Sequence, residues 1–195
     1  MMETLWIKGN KRLWVLFHGT GGDKTSLLYI TGETDPQASV VSFTGTVGTG
    51  AERRYFPALK EGQVDQQSLD EQVDKFLDQW ATYDLSEFDQ IYALGYSNGA
   101  NFLISLLEKS PDRFDKVFLL HPSYLGWTNK GPGPNQVWYI TMGAHDQVAP
   151  VGPIVQWVNR MDPQTKSRVQ TKLLDSFHGV TDPELDWIRE QLKNI

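Results

Sequence analysis

The sequence predicts an α/β protein whose mostly parallel central sheet is covered by helices on both faces. Short apolar runs without polar alternation, typical of buried parallel strands, recur along the chain. Segments with apolar residues at helical spacing alternate with them, and this order favours parallel pairing through right-handed crossovers. Because no repeat, low-complexity tract or linker interrupts the pattern, we expect one domain over residues 1–195.

Each predicted strand is a short run that ends in a turn-forming or polar residue. The six runs are RLWVLFHG (12–19), ASVVSFTG (38–45), FDQIYALG (88–95), DKVFLLHP (115–122), QVWYITMGAHD (136–146) and SRVQTKLLD (167–175). In parallel sheets of this kind, ligands bind at the carboxyl ends of the strands. The residues that follow these runs are therefore the first candidates for a functional site.

Four segments have the periodicity of helices: 65–83, 98–110, 150–161 and 182–195. In the first, an apolar face recurs at steps of three and four residues, formed by Leu69, Val73, Phe76, Leu77 and Trp80. In the last, we expect Asp182 as the N-cap and Pro183 at the first helical position. The long segment 44–61 and the Gly/Pro-rich segment 126–135 are predicted loops.

Composition excludes several classes of function. The chain of 195 residues has a net charge of −6 and no basic stripe, which argues against nucleic acid and anionic lipid as partners. It has no cysteine, so disulfides, thiolate metal ligands and a cysteine nucleophile are absent. The start of the chain lacks the pattern of a signal peptide, and its longest apolar run is LWVLF. We therefore expect a cytoplasmic protein that does not insert into membranes.

Three strand ends together supply the parts of a nucleophilic site. Ser97 stands in Gly-Tyr-Ser-Asn-Gly between a predicted strand and a predicted helix, Asp146 ends the 136–146 run, and His178 follows the 167–175 run. A serine hydroxyl needs a base within hydrogen-bond reach, and a histidine needs a carboxylate to fix its tautomer. The chain order Ser, Asp, His and the Gly-x-Ser-x-Gly turn fit a nucleophile held above a sheet.

Other residues compete for the roles of acid and base. Asp162 and Asp182 fit helix positions better, and Asp175 fits a turn. Among the four histidines, His145 adjoins Asp146 in sequence, while His18 and His121 precede the acid. We interpret His121 as a structural histidine near the floor of the site. Ser97, Asp146 and His178 thus remain the predicted triad.

An oxyanion needs two fixed donors. The backbone N–H of Asn98, at the start of the helix after Ser97, supplies the first of them. The second is predicted to be the N–H of Thr20, in the glycine-rich turn that follows the first strand.

The motifs LFHGTGGD, ALGYSNGAN, LLHPS, MGAHDQVAP and SFHGVT together resemble the phospholipase/carboxylesterase family of small, lidless α/β-hydrolases. The resemblance runs from about Leu13 to the C-terminus and is strongest toward the bacterial esterases of that family. It implies Ser97, Asp146 and His178 as the catalytic triad and Thr20 and Asn98 as oxyanion donors. It also implies no metal, no cofactor and a small-molecule ester substrate, and members of the family are often homodimers.

The resemblance also implies a substrate pocket beside the 44–61 loop. Its predicted lining is aromatic, with Phe43, Tyr55 and Phe56 on one side and Tyr124 and Trp127 on the other. Packing in the core is the alternative role for each of these side chains. Arg53 and Arg54 are candidates to hold a substrate anion, and solvated loop positions are the alternative.

The leading hypothesis is a serine carboxylesterase that cleaves small to medium acyl esters or thioesters through an acyl-enzyme. An acyl-protein thioesterase or lysophospholipase activity uses the same machinery, as does a peptidase or an acyltransferase. A different class remains open, because a binding or receptor module with slow or no turnover can have the same fold and triad. A dienelactone-hydrolase function fits less well, since that relative uses cysteine.

Overall fold

The computed structural model describes residues 1–193 and has a seven-stranded sheet in the order β1-β3-β2-β4-β5-β6-β7. Only β1 is antiparallel to its neighbour. The strands are β1 (Glu3–Ile7), β2 (Arg12–Phe17), β3 (Ser39–Thr44), β4 (Gln90–Tyr96), β5 (Lys116–Leu120), β6 (Val137–Gly143) and β7 (Val169–Leu174). The predicted fold class is confirmed.

Helices cover both faces of this sheet. They are α1 (Leu28–Thr34), α2 (Gln66–Trp80), α3 (Asn98–Lys109), α4 (Val151–Asn159), α5 (Pro163–Lys166) and α6 (Asp182–Lys193). Side chains from α2, α3 and α4 join one apolar cluster, and those from α1 and α6 join the other. Within residues 1–193, none of the helices combines the length and hydrophobicity that a bilayer crossing requires.

Alternation along β2 shows how one strand supports both layers. Leu13, Val15 and Phe17 belong to the first cluster, whereas Trp14 and Leu16 belong to the second, and all five are fully buried. An apolar run without polar alternation is the pattern of a strand covered on both faces. On the first face, the Phe17 ring contacts those of Phe43, Tyr55, Phe76 and Phe102.

The strand order places a switch point between β2 and β4. The chain leaves β2 toward β3 on one side and later returns to β4 on the other, so the connections after β2 and β4 diverge. A crevice at the carboxyl ends of the strands forms at such a point. Thr20 follows β2 and Ser97 follows β4, and both therefore lie at this crevice.

Four features of the fold differ from the sequence prediction. Strand β1, helix α1 and the short helix α5 lie in segments for which no element was predicted. Helix α6 includes Asp182 rather than beginning after it, because the Leu185 N–H already donates to the Thr181 carbonyl. Thr181 thus takes the capping position predicted for Asp182. The last two residues of the predicted 182–195 helix lie outside the described residues.

Candidate active site

Ser97 occupies a strained turn between β4 and α3. Its φ of 52° and ψ of −112° are unfavourable for a residue with a Cβ. The turn is fixed from both sides, because the Ser97 N–H donates to the Leu120 carbonyl and its own carbonyl accepts from the Asn101 N–H. Such strain persists only where the surroundings impose it, and here it projects the hydroxyl above the edge of the sheet.

Two glycines make this turn possible. A Cβ on Gly95 would lie 2.5 Å from the Gly99 carbonyl oxygen, and one on Gly99 would lie 2.1 Å from the Phe17 carbonyl oxygen. The three atoms nearest to the added Gly99 Cβ belong to the backbone of Phe17, in β2, and of His18, which follows it. Helix α3 can therefore approach β2 closely only because residue 99 lacks a side chain.

Gly99→Ala is expected to lower the free energy of unfolding by about 3 kcal/mol, because α3 must move away from β2. Urea denaturation followed by circular dichroism measures this change. Gly152→Ala in α4 is the matched control, since a Cβ there meets nothing within 4 Å and alanine favours a helix. Equal stability of the two variants would contradict the close approach.

A line of hydrogen bonds joins three of the predicted site residues. The distance between Ser97 Oγ and His178 Nε2 is 2.8 Å, and that between His178 Nδ1 and Asp146 Oδ2 is 2.7 Å. The side chain of Asp146 is fully buried, whereas that of His178 is 23% exposed. The imidazole thus contacts solvent on one side while a shielded carboxylate orients it from the other.

Asp146 is held by more than His178. Its Oδ1 accepts from the backbone N–H groups of Val148 and Ala149 at 2.9 and 2.8 Å, and its Oδ2 also lies 3.2 Å from His121 Nδ1. Burial alone raises the pKa of Asp146, but the Ala149 N–H and the two histidines outweigh it, so the pKa lies below its usual value. Asp146 is therefore an ionised acceptor at neutral pH.

The turn after β2 presents the Thr20 N–H. Within residues 1–193 this N–H donates to no protein acceptor, whereas Gly21 N–H donates to the Arg53 carbonyl and Gly22 N–H to the Gly19 carbonyl. Arg53 also donates from its side chain to the Gly22 carbonyl at 3.3 Å. Arg53 therefore contacts the turn itself through both its backbone and its side chain.

His18 fixes the same turn from below. Its Nδ1 donates to the Gly19 carbonyl at 2.6 Å, and its Nε2 accepts from the Gly45 N–H at 2.9 Å, an assignment that follows from the network. Burial lowers the pKa of His18 and outweighs the opposing effect of the Gly19 carbonyl, so the ring is neutral. A single tautomer thus joins the turn to the start of the 44–61 loop.

Asn98 begins α3, so its N–H has no intrahelical acceptor. Its side chain points elsewhere, because Oδ1 accepts from the Tyr55 N–H at 2.8 Å. The Tyr55 hydroxyl in turn donates to the Phe43 carbonyl and accepts from the His18 N–H. The side chain of Asn98 therefore holds the 44–61 loop while its backbone N–H remains available beside Ser97.

The aromatic residues predicted for the substrate pocket do not share one environment. Phe43 and Tyr55 are fully buried in the aromatic cluster around Phe17, which favours a packing role for them over the predicted pocket role. Phe56 and Trp127 are buried as well, and the Trp127 indole N–H donates to the Ser123 carbonyl. Tyr124 is only half-buried and is thus the one of the five with appreciable exposed surface.

An open cavity of about 350 Å³ adjoins the predicted oxyanion turn. Gly19, Thr20, Tyr29, Tyr96 and Val180 contribute to its lining. Burial raises the pKa of Tyr96 to about 12, so its hydroxyl stays protonated and donates to the His178 carbonyl at 2.8 Å. A second cavity of about 400 Å³, lined in part by Trp6 and Phe88, contains none of the predicted site residues.

His121 and Glu184 extend the network beyond the predicted residues. His121 and Asp146, together with His178, form the only group within residues 1–193 whose nitrogen and oxygen atoms lie close enough, within 4.8 Å, to hold a metal ion. Each of these atoms already faces a hydrogen-bond partner, so we interpret the group as a proton network. Sequence reasoning placed His121 near the floor of the site but did not single out Glu184.

No protein-family model matches the chain. Among curated proteins, the Bacillus subtilis (strain 168) protein named "Putative hydrolase MhqD" is 33% identical over 125 residues. The matched segment covers 62% of this chain and 62% of that protein.

Among solved structures, the Bacillus cereus carboxylesterase superposes with a TM-score of 0.85 at 28% identity, covering 99% of this chain and 94% of that one. The chain thus has the α/β-hydrolase fold and is similar over nearly its whole length to this carboxylesterase. A carboxylesterase from Mesorhizobium loti matches with the same TM-score of 0.85 at 23% identity, over 100% of this chain and 95% of its own. This second likeness shows that the α/β-hydrolase fold persists at low identity.

Proposed function

We propose that the protein is a serine carboxylesterase that cleaves small to medium acyl esters through an acyl-enzyme. The observation that carries the proposal is the hydrogen-bonded line from Ser97 Oγ through His178 to Asp146 Oδ2, with contacts of 2.8 and 2.7 Å. The likeness of the whole chain to a Bacillus cereus carboxylesterase supports the same reaction class. The substrate in this proposal is a small-molecule ester, and the reaction uses only side chains, backbone N–H groups and water.

In the first half of the proposed reaction, Ser97 Oγ attacks the ester carbonyl carbon while His178 Nε2 takes the hydroxyl proton. The carbonyl electron pair moves onto oxygen, and the N–H groups of Thr20 and Asn98 stabilise that oxyanion. The bond to the leaving oxygen then breaks, and His178 returns the proton to the departing alcohol. Asp146 stabilises the imidazolium that exists between these two transfers.

In the second half, a water molecule attacks the acyl-enzyme while His178 again accepts the proton. Collapse of the new oxyanion releases the carboxylic acid and restores the Ser97 hydroxyl. The 23% exposure of the His178 side chain gives that water a route to the imidazole. A thioester fits the same steps, with a thiol as the leaving group.

Hydrolysis of p-nitrophenyl esters from acetate to decanoate tests the proposal. We expect saturable turnover with an optimum among the short and medium acyl chains, and the position of that optimum measures the size of the acyl pocket. Comparing each ester with its thioester analogue separates the two leaving-group preferences. Absence of turnover across both series would favour the binding-module alternative instead.

The pH dependence of kcat/KM gives a second expected outcome. Activity falls on the acidic side as His178 binds a proton and can no longer accept one from Ser97. The pKa of Asp146 lies below its usual value, so protonation of Asp146 does not explain a fall near neutral pH. A profile that stays flat from roughly pH 5 to 8 would contradict His178 as the base.

A further inference from the structure

His121 lies directly behind the predicted triad in a strained position. It follows β5, has a φ of 50° and is one of three non-glycine residues with positive φ in residues 1–193, Ser97 being another. Its side chain is fully buried, and a carboxylate oxygen faces each ring nitrogen. Asp146 Oδ2 lies 3.2 Å from Nδ1, and Glu184 Oε2 lies 3.3 Å from Nε2.

The proton count of this arrangement is constrained by its partners. An ionised carboxylate only accepts hydrogen bonds, so two carboxylates around one imidazole require an additional proton in the group. Burial alone lowers the pKa of His121, but Glu184 and Asp146 together outweigh it and raise the pKa. With that proton the two residues together are neutral, and His121 presents an Nδ1–H to Asp146.

Four groups surround the His121 ring, and two of them belong to the predicted machinery. Asp146 contacts one nitrogen and Glu184, in the first turn of α6, contacts the other. The His178 ring lies 5.5 Å away and the Tyr96 ring 6.1 Å away, both edge to face. His121 therefore shares with His178 the single oxygen, Asp146 Oδ2, that orients the base.

Burial of the Glu184 carboxylate costs folding free energy, which is difficult to explain by packing alone. The residue is fully buried, and its Oε1 has no hydrogen-bond partner within residues 1–193. An apolar residue of similar volume commonly serves a core at least as well as a buried ion pair does. The orphaned oxygen thus points to a role beyond packing.

We propose that His121 and Glu184 form a positioning pair for Asp146, in which Glu184 holds His121 in the protonation state that donates from Nδ1 to Asp146 Oδ2. This inference rests on the proposed esterase function. The pair holds the Asp146 carboxylate in one orientation and shares the oxygen that would otherwise bind His178 alone. It thereby sets how strongly Asp146 attracts the His178 proton.

His121→Phe tests the pair by removing the donor while keeping a ring in its place. For p-nitrophenyl acetate we expect kcat to fall about tenfold to hundredfold, with KM within about twofold. We also expect the acidic limb of kcat/KM to move to higher pH, because Asp146 then interacts with His178 alone and favours its protonation. A role confined to packing would alter stability and leave that limb in place.

Glu184→Leu and Glu184→Gln separate control of His121 protonation from volume. The leucine removes the partner of His121 Nε2 and is expected to lower kcat about tenfold, whereas the glutamine keeps a hydrogen bond to that nitrogen and recovers most of the loss. Glu190→Leu on the exposed side of α6 is the matched control. Equal activity of the two Glu184 variants, or a wild-type kcat in His121→Phe, would overturn the proposal.

Nuclear magnetic resonance of ¹⁵N-histidine-labelled protein measures the protonation of the His121 ring nitrogens independently of ester turnover. With four histidines in the chain, each ring is assigned by single substitution. In the wild type we expect His121 Nδ1 to be protonated at neutral pH. In Glu184→Leu we expect Nδ1 to be protonated in only part of the molecules. An unprotonated Nδ1 in the wild type would overturn the pair even if the enzyme hydrolyses esters. Absence of ester turnover with Nδ1 protonated would instead refute the proposed function.

Discussion

Ser97→Ala is expected to lower kcat for p-nitrophenyl ester hydrolysis by about 10⁵- to 10⁶-fold, with little change in KM. In the proposed mechanism the substitution removes the atom that attacks the carbonyl, while the fold, His178 and the proposed oxyanion donors remain. The remaining rate still exceeds that in water, because oxyanion stabilisation and substrate binding persist. Alanine also carries a Cβ, so the strain at the positive φ of residue 97 is unchanged.

The matched control for this substitution is Ser86→Ala. Ser86 is exposed, and its hydrogen bonds go to Asp84 rather than to any predicted site residue. Stopped-flow and long-time absorbance measurements together cover the range of rates. Turnover by Ser97→Ala within tenfold of the control would refute Ser97 as the nucleophile.

Asp146→Asn is expected to lower kcat by about 10⁴-fold at neutral pH. The reason is geometric, because Oδ1 already accepts from the Val148 and Ala149 N–H groups. The amide NH₂ must then occupy the Oδ2 position and face His178 Nδ1. His178 would accept there, carry its proton on Nε2 and lose the lone pair that takes the Ser97 proton.

Asp175→Asn is the matched control and also tests the strongest alternative acid. Asp175 is exposed and pairs with His145 Nε2 at 2.8 Å. That pair shares no side chain with the hydrogen bonds that join Ser97, His178 and Asp146. We expect this variant to retain wild-type kcat. Loss of activity in Asp175→Asn together with an active Asp146→Asn would reverse the assignment of the acid.

The strands were predictable where burial on both faces removes polar alternation. All six predicted strands are present. The predicted α2 face is buried at Leu69, Val73, Phe76 and Trp80, whereas Leu77 is half-buried. Strand β1 was missed because it is an edge strand with Trp6 and Ile7 exposed, so it lacks the signature of burial. Helix α1 was missed because its short sequence, LYITGET, combines β-branched residues with glycine.

The sequence predicted the position of the candidate site but not the buried residues behind it. Parallel strands share one carboxyl edge, and for that reason residues that follow separate strands, such as Ser97, Asp146 and His178, meet within hydrogen-bond distance. Glu184 lies on a helix rather than at a strand end, so that rule gave no reason to connect it with His121. The sequence also could not predict the full burial of Phe43 and Tyr55, because an aromatic residue in a loop or at a strand end suits either a pocket or the core.

Covalent labelling with diethyl p-nitrophenyl phosphate tests the central claim most directly. An activated serine displaces p-nitrophenol and keeps the diethylphosphoryl group, so intact mass and peptide mapping identify the nucleophile. We predict one phosphoryl group per chain, on Ser97, with esterase activity lost in proportion to labelling and no reaction in Ser97→Ala. Labelling of a different residue, or a wild type that hydrolyses esters yet stays unlabelled, would contradict the account.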